Sequence, residues 1–150
     1  MKVLFLDIDG VLNSDHFYVN RPKEIKHLPY PLSEFDPECV KRLNKILDVT
    51  GARLVLSSSW RHDGTVYNVL RRAGITHDIW DITPYEMGKP RGHEIRKFLE
   101  EHKEIDSYVI LDDIPNMLPE QKSHFVNTNP CRGLTDEDME KAINILNTRS

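Results

Sequence analysis

The sequence predicts an α/β fold: a three-layer, Rossmann-like domain with about five mostly parallel strands and helices on both faces of the sheet. Three observations predict it. The runs KVLFLDI (residues 2–8), RLVLS (53–57) and SYVIL (107–111) are rich in Val, Leu, Ile and Phe on both faces, as strands of a doubly covered parallel sheet are. Between them lie stretches whose apolar residues recur at helical spacing, so strand and helix alternate and right-handed crossovers follow. The chain has 150 residues, 39% of them hydrophobic and 29% charged, which suits one globular domain over residues 1–150 with a sizeable core.

Each element has a local cause. The strand at 2–8 runs directly into Asp7, Asp9 and Gly10. Residues 13–35 are polar and hold three of the nine prolines, so they read as a flap or lid loop, longer than ordinary connections. Asp36-Pro37 is an N-cap with Pro at the first helical position, Val40, Leu43, Ile46 and Leu47 form the inward stripe, and Gly51 closes that helix. The strand 53–57 ends in SSSWR, a short helix follows over 65–72, and DIWDIT (78–83) is a third strand. A helix over 92–102 turns Ile95, Phe98 and Leu99 inward, and the strand 107–111 runs into Asp112-Asp113. Residues 124–127 form a fifth strand. Thr135 and Asp138 make a capping box for a last helix with Met139, Ala142, Ile143 and Leu146 inward.

The bulk properties exclude more than they assign. A net charge of -4 argues against broad electrostatic binding to nucleic acid, though a local basic patch is compatible with it. No apolar stretch spans a bilayer, and the N-terminal run carries acids and no cleavage site, so it reads as structure. Cys39 and Cys131 are far apart and lack metal-ligand spacing, as free thiols in a cytoplasmic protein would be.

Function is written at the strand ends. Ligands of doubly wound sheets bind outside the carboxyl ends of the strands, and those ends carry Asp7 and Asp9, then Ser57, Ser58 and Ser59, then Asp112 and Asp113. Asp7 and Asp9 share a face if the strand extends that far, and their repulsion then calls for a cation. Acids without a His or Cys cluster favour a hard cation, Mg2+, held among Asp7, Asp9, Asp112 and Asp113. A carboxylate can attack phosphorus, a second can carry the proton, and hydroxyl donors with a fixed cation can offset the phosphoryl charge. Ser57 offers the hydroxyl, and Lys89 or Arg91 the cation, just ahead of a helix N-terminus. Gly10, Ser58 and Arg61 are further candidates for contact with the substrate.

The segments DIDGVL, LSSSW, KPRGHEI and ILDD, in that order, resemble the four motifs of the haloacid dehalogenase (HAD) superfamily of phosphotransferases. More closely, SSSWR, RGHEI, YVILDD and the late GLT resemble small HAD phosphatase domains associated with bacterial and phage RNA-repair proteins. The resemblance implies that Asp7 is the nucleophile that forms an aspartyl-phosphate. It implies that Asp9 is the general acid and base, with its backbone carbonyl on Mg2+. An aspartate at that second position is what phosphatases of the superfamily carry and dehalogenases lack. Ser57 matches the second motif, and Asp112 or Asp113 the metal-holding fourth. In the third, Lys89-Pro90 looks like the common Lys-Pro, whereas Arg91 fits the spacing to Ile95 better; both are kept, with a lean to Arg91.

HAD specificity comes from cap insertions, and the interval from Ser57 to Lys89 has no room for a large one. A nearly capless member resembles those acting on bulky substrates, so a polynucleotide end or nucleotide phosphate is the favoured partner. A small metabolite, a phosphoprotein and a non-catalytic binding role are the alternatives. Arg61, Arg71 and Arg72 form a phosphate-binding patch or a solvated helix face. Trp60 is a base-stacking platform or part of the core. His16, His62 and His93 read as ordinary surface residues, and Tyr18, Tyr30 and Phe35 as substrate contacts or loop anchors.

Overall fold

The computed structural model describes residues 1–148. Strands β1 (Lys2–Leu6), β2 (Arg53–Leu56), β3 (Ile79–Ile82), β4 (Ser107–Asp112) and β5 (Phe125–Asn127) form one sheet in the order β3-β2-β1-β4-β5, with every pair parallel. The central strand is the first in sequence, and the order reverses between it and β4, which is where such sheets bind ligands.

Six helices are described: α1 (Asp15–Asn20), α2 (Lys23–Lys26), α3 (Pro37–Thr50), α4 (Val66–Arg72), α5 (Arg91–Glu101) and α6 (Asp136–Asn147). The two caps read from sequence are present. Asp36 accepts from the N–H of Glu38 and Pro37 opens α3, while Thr135 and Asp138 exchange hydrogen bonds at the start of α6. The alternation of strand side chains sorts the core into two layers. Leu4 and Leu6 pack with α3 and α6 through Val40, Leu43, Ile46, Leu47, Met139, Ala142 and Leu146. Val3, Phe5, Val55 and Ile110 pack on the opposite face with Ile95 and Phe98 of α5.

Residues 13–35, expected as a flap or lid loop, contain α1, α2 and a 3-10 turn at Leu32–Glu34. Ser14 caps α1 by accepting from the N–H of Phe17, and Phe17 and Phe35 are buried anchors. The N–H of Asp36 donates to the Leu12 carbonyl at 2.8 Å, so the segment leaves and rejoins the fold at one point. Helices this short carry too few turns for a periodic signal. Both cysteines are free, Cys39 buried and Cys131 exposed. Among the described residues no helix is long and apolar enough to cross a membrane.

Candidate active site

Strand register brings the site together. Leu6 pairs with Leu56 of β2 and Leu111 of β4, so the following residues, Asp7, Ser57 and Asp112, reach the rim side by side. The ladder continues one step, with the N–H of Asp7 donating to Leu111 at 3.0 Å and that of Ser57 to Leu6 at 2.9 Å. Alternation selects the face. Phe5, Val55 and Ile110 lie in the layer under α5, and the next residue but one in each strand returns to that side. Arg91 is the first residue of α5, and its Nη1 lies 3.2 Å from Asp7 Oδ1 and 2.6 Å from Asp112 Oδ2.

Asp113 completes an acid cluster: Asp7, Asp112 and Asp113 each offer an oxygen within 4.8 Å of the others. Asp7 is 5% exposed and Asp112 0%. Two of the three carboxylates share one guanidinium and the third stands beside them, so negative charge remains in excess. Burial, followed by the charge of Asp112, pushes the Asp7 carboxyl up to about 8 against the opposing pull of Arg91. Burial raises Asp112 as well. An all-oxygen donor set with uncompensated charge fits a hard divalent cation. Gly10 makes room for the Asp113 carboxylate: its φ is +80°, and a Cβ there would run into the Asp113 side chain, whose own Cβ would lie only 2.7 Å from it. The N–H of Gly10, a candidate for contact with the substrate, donates to Asn13 Oδ1 at 2.9 Å.

The hydroxyls divide in role. Ser57 is fully buried and its Oγ has no hydrogen-bond partner among the described residues, beside the acids it was expected to join. Ser58 Oγ accepts from the N–H of Trp60 at 3.2 Å and caps the 3-10 turn Ser59–His62, so it is a structural cap in place of the expected substrate contact.

Of the two candidate cations, Arg91 reaches the acids and Lys89 stays exposed. Asp9 departs from its expected position. The strand stops at Leu6 and the N–H groups of Val11 and Leu12 both donate to the Ile8 carbonyl, which turns the chain. Asp9 therefore leaves the face of Asp7 and is not part of the three-carboxylate cluster. Its Oδ1 accepts from Asn13 Nδ2 at 3.1 Å and its Oδ2 from Trp60 Nε1 at 3.0 Å.

Arg61 is a second correction. It is 8% exposed and cannot share a surface patch with Arg71 and Arg72. Its Nη2 donates to both oxygens of Glu94, at 3.0 and 2.9 Å, and its Nη1 to the carbonyls of Ser57 and Ser58. Glu94 also accepts from the N–H of Glu86. The pair ties the exit of β2 to the first turn of α5, and so Ser57 to Arg91. Arg71 pairs with Asp78 on the exposed side of α4. Trp60 packs edge-to-face on Phe35, with ring centres 5.6 Å apart. His16 lies against Asn20, His62 against Tyr85 and His93 against Arg96, and none is bonded to the acids among the described residues. Tyr30 is exposed, whereas the Tyr18 ring packs at a tilt against Phe17 and lies under the Arg21 guanidinium.

Sequence reasoning missed the contacts Trp60–Asp9 and Arg61–Glu94. They join residues 51 and 33 positions apart, and a charged or indole side chain carries no local mark of its partner. A cleft of about 300 Å³ opens beside Arg91, and Ser59, Arg61, His62, Tyr85, Lys89, Glu94, Ile114, Asn116 and Met117 are among its lining residues.

A family model for the HAD domain in Swiss Army Knife RNA repair proteins matches residues 3–139, from β1 into α6. No curated protein matches the chain. The four motifs stand at the strand ends and the helix start that this match spans, and the chain belongs to the family of HAD domains in Swiss Army Knife RNA repair proteins.

Proposed function

We propose that the protein is a phosphomonoester hydrolase that works through an aspartyl-phosphate on Asp7, with the phosphate of a polynucleotide end or a nucleotide as substrate. The observation that carries the reading is the convergence of Asp7, Asp112, Asp113, Arg91 and an unpartnered Ser57 hydroxyl at the ends of three adjacent strands. The Asp7, Asp112 and Asp113 carboxylates, with the Asp9 backbone carbonyl, would hold Mg2+. Bound there, Mg2+ keeps carboxylates ionised and offsets phosphoryl charge.

Each residue then has one task. Asp7 attacks phosphorus, and the bond from phosphorus to the ester oxygen breaks as Asp9 gives that oxygen a proton. Asp9 then takes a proton from water, the water oxygen bonds to phosphorus, and the bond to Asp7 breaks. Inorganic phosphate leaves and both carboxylates return to their starting states. Arg91 and the Ser57 hydroxyl bind the equatorial oxygens, where charge accumulates.

Two features support a bulky substrate. The 13–35 segment holds only short helices, too little for a cap domain, and the cleft beside Arg91 is lined by Tyr85, 59% exposed, and Ile114, 45% exposed. The family's occurrence in RNA repair proteins points the same way, and a cytoplasmic setting with reduced thiols fits it. A panel of esters with and without Mg2+ tests the proposal: a 3′-phosphorylated oligonucleotide, free nucleotides, sugar phosphates, a phosphopeptide and an aryl phosphate. Metal-dependent release that vanishes in Asp7→Asn and is fastest for the oligonucleotide is expected. Faster sugar phosphate or phosphopeptide turnover would reassign the substrate, and absence of any Asp7-dependent release would leave a binding role.

A further inference from the structure

We infer that Trp60 and Asn13 are positioning residues for Asp9, clamping the proton-transfer carboxylate apart from the acid cluster. This rests on the proposed role of Asp9 in ester cleavage. Asp9 is the exposed residue of an otherwise buried turn beyond the end of β1, where strand register no longer fixes its side chain. Two donors do so instead, Asn13 Nδ2 on Oδ1 and Trp60 Nε1 on Oδ2. With one donor per oxygen the carboxylate plane is set, while each oxygen retains a lone pair for the proton it must carry.

Both jaws of the clamp are themselves held. The Trp60 ring rests edge-to-face on buried Phe35, and its backbone N–H donates to Ser58 Oγ. The Asn13 amide also donates to the Glu34 carbonyl at 3.1 Å, and its Oδ1 accepts from the N–H of Gly10. Asn13 and Phe35 are the two ends of the 13–35 segment. That segment therefore acts on the site by fixing where Asp9 stands. Small displacements of a proton donor cost large factors in rate, so the clamp governs leaving-group protonation in particular.

Trp60→Phe keeps an aromatic ring against Phe35 and removes only the donor. Single-turnover cleavage by this variant is to be compared on an alkyl phosphate, whose oxygen needs a proton to depart, and on a nitrophenyl phosphate, whose oxygen does not. A loss of about 10-fold or more on the alkyl ester, with less than about 3-fold on the aryl ester, is expected. Equal losses on both esters, as from general loosening of the site, or no loss on either, would overturn the inference. If Trp60→Phe does not fold, Asn13→Ala is read in the same way. The indole N–H resonance of Trp60, assigned by its loss in Trp60→Phe, gives a readout free of turnover. Asp9→Asn should shift it and leave that of Trp80 in place, and an unmoved Trp60 resonance would refute the contact. A wild-type protein that cleaves neither ester ends the phosphatase reading, and the clamp is then decided by the resonance alone.

Discussion

Asp7 is asked to be a buried anion among anions. Burial and Asp112 raise its carboxyl to about 8, so without metal the folded state takes up a proton that the unfolded chain gives up near 3.8. Stability from this group is therefore full below the ordinary carboxylate range and declines as pH rises toward 8. Asp7→Asn removes that penalty. In chelator the variant should be more stable than wild type by about 1–3 kcal/mol at pH 8, a Tm gain of about 2–10 °C, with a smaller gain at pH 5. Thermal unfolding at the two pH values checks it; Mg2+ should stabilise wild type and leave Asp7→Asn nearly unmoved. Gly10 poses a steric demand at the same scale. Gly10→Ala combines a φ of +80° with a collision against Asp113, and should cost about 1–3 kcal/mol in urea unfolding while displacing Asp113. Asp7, Ser57 and Asp112 were legible in the sequence because strand ends are. The place of Asp9 was not, since it depends on where β1 stops, and a turn pulls the chain off the strand face at Ile8.

At the scale of elements, the contact between the end of β2 and α5 holds Ser57 and Arg91 at the same rim. Arg61 and Glu94 form that contact while 8% and 4% exposed. Removing one partner strands the other charge in the core, so Arg61→Ala should lose about 3–5 kcal/mol in urea unfolding and lower turnover with it. Arg71→Ala, which breaks an ion pair exposed on both sides, should stay within about 0.5 kcal/mol and leave turnover intact. The contrast also separates a structural Arg61 from a substrate-binding patch that includes Arg71. The helix caps at Asp36 and Thr135 could be read from sequence because a cap is local chemistry. The Arg61–Glu94 strut could not. Arginine reads as surface by composition, and its burial here depends on a partner 33 residues away. The short helices of 13–35 escaped for a related reason, since Ser14 caps only six residues.

Across the whole molecule, a parallel sheet with its first strand at the centre turns three sequence-distant motifs into neighbours. The order β3-β2-β1-β4-β5 places the ends of β2, β1 and β4 in a row, and α5 brings Arg91 over them. That architecture followed from doubly apolar strands alternating with amphipathic segments, so the fold and the address of the site were visible before the geometry. The central claim is that Asp7 carries the phosphoryl group. The most direct measurement is mass spectrometry of Asp9→Asn protein quenched in acid during reaction with an aryl phosphate and Mg2+. With the base for the second step removed, a phosphoryl adduct should accumulate on the peptide bearing Asp7, and be absent without Mg2+ or in the Asp7→Asn, Asp9→Asn double variant. Turnover by wild type with no adduct on Asp7, or an adduct on another residue, would contradict the account.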